Sequence, residues 1–367
     1  MIQQYELKLV DDPEDEAPQR RKVFRGVPTI IDIEPETVSR RSAERPRAVK
    51  AQPSLLPKDV GAADAFRLTL LQCKWHLTAN MSAVIELRDM EGMHQLRVGL
   101  RRLRVALASF GGEFRTPQLE AIRLRAKSLA SRLAPARDFD VFSEELFEPA
   151  ATANGALDAF EVLRKRAESA RSRAWDDAVA QVSGQSFRIF ISDLGEAIDR
   201  RIWLGTSPGH AHATKGLLAF ETPAVRLGDR MLTHRSKSAR KRARRLESLS
   251  DAERHGLRIA LKKLRYTAEF FAPFYEKELV AKFLGRLSRM QDILGALNDV
   301  AVARKTLDEL VAAGDSAPHA SLADVSFAAG IVYGWHLDRA ARIWEDAVKR
   351  WKKFARTDVF WNADAAN

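Results

Sequence analysis

From Gly61 onward, apolar residues recur every three or four positions along most of the chain, the spacing of helices with one buried face. The pattern predicts helices near 61–88, 91–111, 117–133, 137–149, 155–182 and 185–203. After a break it predicts more near 223–247, 251–275, 278–294, 298–313 and 319–355. Gly111, Gly112, Pro117, Pro135, Pro273 and Pro318 fall at or near these boundaries, as helix punctuation should. Upstream, Tyr5–Val10 and Val27–Ile33 alternate like short strands, and Arg40–Pro57 reads as a linker rich in Arg, Pro, Ser and Ala. The expected organisation is an N-terminal segment over 1–60, a helical half over 61–205, a linker over 206–222 and a second helical half over 223–367. Helix-rich halves with short connections imply antiparallel bundles, hence an all-α fold.

One helical pattern occurs twice. His94-Gln-Leu-Arg-Val-Gly-Leu-Arg-Arg-Leu-Arg104 returns as His255-Gly-Leu-Arg-Ile-Ala-Leu-Lys-Lys-Leu-Arg265, an offset of 161 residues. Leu133, Asp138 and Val141 meet Leu294, Asp299 and Val302 at the same offset, which argues for an internal duplication. On a helical wheel with His94 at zero, Arg97, Arg101 and Arg104 fall between about 280° and about 340°. Leu96, Leu100, Leu103 and Leu107 fall between about 180° and about 240°. Each copy thus sets a basic stripe beside an apolar one: His94, Arg97, Arg101 and Arg104, then His255, Arg258, Lys262 and Arg265. Neither copy contains a carboxylate between its histidine and its last arginine, whereas an ordinary solvated face mixes both signs. Arg102 and Lys263 lie off the stripe, and the wheel does not decide where they point.

Charge sharpens this reading. The net charge is +11, yet residues 1–60 hold 11 acids and 11 bases, so the excess belongs to the helical body. A basic body suits an anionic partner such as nucleic acid, a membrane surface or a phosphate polymer. The densest basic run, His234–Arg245, places Lys237, Arg240, Lys241 and Arg244 on one helical face, where they either line the same groove or face solvent. Arg242 and Arg245 point elsewhere on that wheel. Asp138 and Asp299 are expected to cap a following helix or anchor a neighbouring arginine. Glu91 and Asp251, one turn before the histidines, make too thin a ligand set for a metal. Cys73 is the only cysteine, so neither an intrachain disulfide nor a Cys-based zinc site is expected. No signal-like or membrane-spanning apolar run appears, so a cytoplasmic protein without a membrane partner is expected. No glycine pattern for nucleotide phosphates appears either.

The repeated His-x-x-Arg-x-x-x-[Arg/Lys]-[Arg/Lys]-Leu-Arg element resembles the CHAD family, the conserved-histidine α-helical domain. The resemblance extends to Leu133–Val141, Leu264–Phe271 and Leu294–Val300 and spans roughly residues 61–355. It implies two four-helix bundles related by a pseudo-twofold, with a basic groove or channel between them. It also implies non-catalytic binding of inorganic polyphosphate, without a cofactor, for recruitment to or organisation of polyphosphate granules. The N-terminal Gln4-Tyr-Glu6-Leu-Lys8 is similar to the opening strand of CYTH triphosphatases, but its first glutamate is Gln4. About 60 residues cannot close that family's tunnel, so triphosphate hydrolysis is not expected. Three rivals remain. A nucleic-acid binder would need stacking platforms or side chains reaching base edges. A phosphohydrolase would need carboxylates to hold metal ions. An adaptor would bind an acidic protein.

Overall fold

The computed structural model describes residues 45–155, 157–204, 222–313 and 322–362. The two expected N-terminal strands, the CYTH-like stretch, Pro318 and nearly all of the 206–222 linker lie outside the described residues. Pro46–Asn367 forms one compact unit. It is all-helical: among the described residues the only β pairing is an isolated bridge between Gly61 and Pro223.

Helices α1 (Ala62–Thr78), α2 (Met81–Leu87), α3 (Met90–Phe114) and α4 (Pro117–Arg132) open the unit. The helix expected over 61–88 is broken at Asn80. This buried residue spends its amide on the chain upstream, accepting from Val49 N (2.9 Å) and donating to Val49 O (2.9 Å) and His76 O (2.8 Å). The segment around Val49, read from sequence as linker, is therefore pinned to the helical body. Helix α3 begins at Asp89, whose carboxylate accepts from Gly92 N and satisfies one orphan donor of the first turn.

α5 (Ala134–Val141) and α6 (Glu148–Ala153) are joined by a π-helical turn, Phe142–Phe147. Pro149 explains that turn. Its ring and missing N–H disrupt the regular bond to the preceding turn, and a wider turn absorbs the mismatch. α7 (Asp158–Ser183) and α8 (Gln185–Asp199) follow, then α9 (Ala224–Arg242) and α10 (Asp251–Phe271). Ser250 and Glu253 form a capping box at the start of α10. The helices expected over 278–294 and 298–313 fuse into α11 (Lys277–Ala312), since Gly295 costs helix propensity without breaking the hydrogen-bond ladder. α12 is Leu322–Ala355. Helices α1 and α9 begin at residues 62 and 224, α3 and α10 at 90 and 251, and α4 and α11 at 117 and 277. The separations are 162, 161 and 160 residues.

Both hydrophobic cores cross the midpoint of the chain. The larger joins Leu96, Leu100 and Leu103 of α3 to Leu257, Leu261 and Leu264 of α10, all fully buried. The smaller packs Phe142, Phe147 and Phe160 with Leu307, Leu310, Val325 and Val332. In the larger core, Phe66 stacks on Phe110 (4.8 Å between centroids) and Phe114 (5.6 Å) and meets Trp203 edge-on. Phe110 in turn stacks on Phe271, its counterpart at the 161-residue offset. This aromatic column joins α1, α3 and α10. Phe66→Ala should therefore lower unfolding stability by about 3–5 kcal/mol, read from the denaturant midpoint. A loss below about 1 kcal/mol would mean the column is not structural.

Candidate functional site: a cationic cavity between the repeated helices

The apolar stripes of α3 and α10 are buried in one core, which brings the basic stripes beside them to one place. A cavity of about 1190 Å3 opens there. Its wall includes His94, Arg101 and Arg102 from α3, Lys262 and Arg265 from α10, and Asp299 from α11. The extended residues 50–54 close one side, held by the Val49–Asn80 pairing.

Arg97 and Arg258 are not on that wall, but their charges act on it. Lys262 is pushed down to about 6, first by burial and then by Arg101, Arg258 and Arg97. His94 is lowered first by burial and then by Arg137; Glu91 opposes this, and Arg101 and Lys262 add smaller lowering effects. The histidine of one helix thus feels the lysine of the other. Burial lowers Arg97 to about 10, so it stays charged at neutral pH. One of its arms donates to Ala130 O at 2.9 Å. Arg258 is lowered chiefly by burial.

Asp138 and Asp299 are not helix caps, correcting one sequence reading. Asp138 lies inside α5, past the break at Leu133, and Asp299 lies inside the continuous helix α11, so neither sits at a helix start. The other reading, an anchor for arginine, fits: Asp138 acts on Arg97, and Asp299 acts on Arg258 at the same 161-residue offset. Burial raises both carboxyls, and Asp299 adds to the effect at Asp138, so the two face a common space.

The two histidines differ. His94 is partly buried and lines the cavity. His255 is exposed and its Nδ1 hydrogen-bonds Asn298 Oδ1 at 2.9 Å. Arg137, whose charge acts on His94, corresponds at the 161-residue offset to Asn298, the partner of His255. Arg265 is engaged: its Nε donates to Glu269 at 2.8 Å, and it also reaches Gln291 and Ser288. Arg104 is half-buried, off the cavity wall, and beside Arg101 and Arg123. Lys237, Arg240, Lys241 and Arg244 are all exposed and none lines the cavity. The buried face of α9 runs through Leu232, Ser236 and Ala239, which turns Arg235 and Arg242 toward α10 instead. Both charges reach Lys263.

Sequence patterning left Arg102 undecided, and the structure places it on the cavity wall. It is buried, lies over the rings of Phe270 (5.1 Å) and Tyr266 (5.8 Å), and ion-pairs with Glu269 on α10. Its wheel angle off the basic stripe was the available signal. Arg137 was missed as part of the site, since it lies on a different helix from either stripe. Among the described residues, no three His, Cys, Asp or Glu side chains gather as a metal site requires. No described helix is long and apolar enough to cross a membrane.

This geometry meets two findings from known proteins. The CHAD domain profile matches residues 69–308, well over half of the chain. The chain belongs to the CHAD family. A crystal structure of the CHAD domain from the plant Ricinus communis is similar, with a TM-score of 0.71 and 28% identity. That match covers 85% of this chain and 98% of the plant domain. PptA from Streptomyces chartreusis shares the fold, with a TM-score of 0.58 and 15% identity over 80% of this chain and 99% of its own. No curated protein matches the chain. In this CHAD protein α3 and α10 both contribute cationic side chains to one cavity wall.

The crowded lysine yields a stability prediction. Between pH of about 6 and 10.5 the unfolded chain holds a proton on Lys262 that the empty folded protein does not, so folding stability rises with pH across that window. Lys262→Met should remove this rise and stabilise the empty protein by about 1–4 kcal/mol at neutral pH, read by thermal and denaturant melts. A destabilised variant with an unchanged pH slope would contradict the assignment.

Proposed function

We propose that this CHAD protein binds inorganic polyphosphate without catalysis, in the cavity between α3 and α10. One observation carries the reading: half-buried Lys262 feels the charges of Arg97, Arg101 and Arg258, which Asp299 on the same wall offsets only in part, so an added anion would be favoured there. A phosphate polymer carries negative charge on every unit and has no bases to read. Cations three or four positions apart on a helix lie about 5–6 Å apart at Cβ and can meet successive phosphates. Arginine forks grip phosphate oxygens in pairs, and lysine acts as a point charge. Two stripes meeting across a partly buried cavity concentrate the potential between them.

The cavity wall supplies His94, Arg101, Lys262 and Arg265 to the proposed site, and Arg97 and Arg258 act on it through their charge. Arg104 and His255 stand at its margin, and the exposed α9 run of Lys237, Arg240, Lys241 and Arg244 would act only as an outer approach. The pseudo-twofold relation of the two helical halves is part of this proposal, as is recruitment to cytoplasmic polyphosphate granules. Nucleic-acid binding is the weaker reading, because Tyr266, the aromatic on the cavity wall, is buried beneath Arg102 and offers no platform for a base. Hydrolysis is weaker too, because Asp138 and Asp299 serve Arg97 and Arg258.

Calorimetric titration with long-chain polyphosphate and length-matched single-stranded DNA tests the proposal. Polyphosphate should bind at least about tenfold tighter than DNA and weaken about tenfold or more between about 50 and about 200 mM salt. Arg101→Ala/Lys262→Ala, checked for folding by circular dichroism, should lose about 100-fold or more in polyphosphate affinity. Equal affinity for both polymers, or a variant that binds like wild type, would overturn it.

A further inference from the structure

Beyond the repeated motif itself, the two helices differ in charge at Glu269 of α10. Glu269 on α10 accepts from Arg102 across the seam and from Arg265 one turn earlier on its own helix. At the 161-residue offset, Arg102 corresponds to Lys263, Arg265 to Arg104 and Glu269 to Ala108. The corresponding corner therefore keeps both cations and lacks the carboxylate between them. Ala108 is exposed, so the corner is open to solvent.

More cations surround this corner. The charges of Arg235, Arg242, Arg104 and Arg123 all act on Lys263, and together with burial they lower it. Arg235 comes from α9 and donates to Ser109 Oγ at 3.3 Å, beside Ala108. Arg123 comes from α4, and Arg242 lies close to Gly256 at the start of α10. Glu120 is at the edge and is already held by Arg123, with Nε to Oε2 at 2.8 Å. Among the described residues, Lys263 and Arg104 have no carboxylate partner, and Arg104 Nε has no acceptor.

We propose that Arg104, Arg123, Arg235, Arg242 and Lys263 form a second oxyanion site, in which a phosphate group takes the place that the Glu269 carboxylate occupies beside Arg102 and Arg265. The site lies off the cavity wall and draws on α3, α4, α9 and α10. Its ligand is a single tetrahedral phosphate group, either free orthophosphate or the terminal group of a short phosphate chain. The inference rests on the asymmetry of the repeat and does not depend on the polymer bound in the cavity.

The test is to install the missing carboxylate. Ala108→Glu at this exposed helical position supplies the counterpart of Glu269, within one turn of Arg104. Orthophosphate and tripolyphosphate are titrated by calorimetry at constant ionic strength into wild type, Ala108→Glu, Lys263→Ala and the cavity variant Arg101→Ala/Lys262→Ala. The expected result is a class of phosphate sites present in wild type and the cavity variant, and weakened about tenfold or more in Ala108→Glu and Lys263→Ala. Loss of both ligands in Ala108→Glu assigns free phosphate, and loss of tripolyphosphate alone assigns a terminal phosphoryl group. Ala108→Glu should also melt higher than wild type without phosphate. Undiminished binding of both ligands in Ala108→Glu would overturn the site, as would loss of all phosphate binding in the cavity variant.

Discussion

The arrangement depends on holding like charges together away from bulk water. Lys262 is half-buried near three arginines, and that crowding costs folding free energy in the absence of a counterion. The leucines of the same two helices offset it. Leu96, Leu100 and Leu103 on α3 and Leu257, Leu261 and Leu264 on α10 are fully buried, each contributing about 1.5–3 kcal/mol. An apolar stripe beside a basic stripe is thus one device: burying the first forces the second into a shared space.

Internal carboxylates then set how much charge is left over. The charges of Asp138 and Asp299 act on Arg97 and Arg258, and Glu269 takes up Arg102 and Arg265. Asp299 also acts on Lys262, but the arginines and burial outweigh it. The chain's excess of bases over acids beyond residue 60 is therefore concentrated at particular positions, one of them the cavity. Within the CHAD fold, the acids of this chain place and limit the basic charge.

Much of the frame was legible in the sequence, for definite reasons. The 3.6-residue period located most helices, and the 161-residue offset paired α3 with α10. The wheel put His94, Arg97 and Arg101 on one basic stripe and Lys262 on the other. What the wheel lacked was tertiary: it treats each helix alone. Arg102 lies off the stripe, yet it crosses to Glu269 and stacks on Phe270. Arg242 lies off the expected face of α9, yet its charge reaches Lys263, while Lys237, Arg240, Lys241 and Arg244 face solvent. The π-turn before Pro149 and the fusion of two expected helices into α11 turned on local hydrogen bonding that periodicity does not carry. Asn80 holding Val49 involves residues 31 apart, beyond the reach of any local pattern.

The central claim concerns the state of Lys262. Its titration is measured directly from the side-chain Nζ and Cε resonances by NMR, in the full chain, with and without saturating tripolyphosphate. The account predicts a midpoint near 6 in the empty protein, and a rise of several pH units once an anion screens Arg97, Arg101 and Arg258. A lysine that titrates near its ordinary 10.5 in both states would contradict the account, because the cations would then not be crowded and the cavity would have no need of an anion.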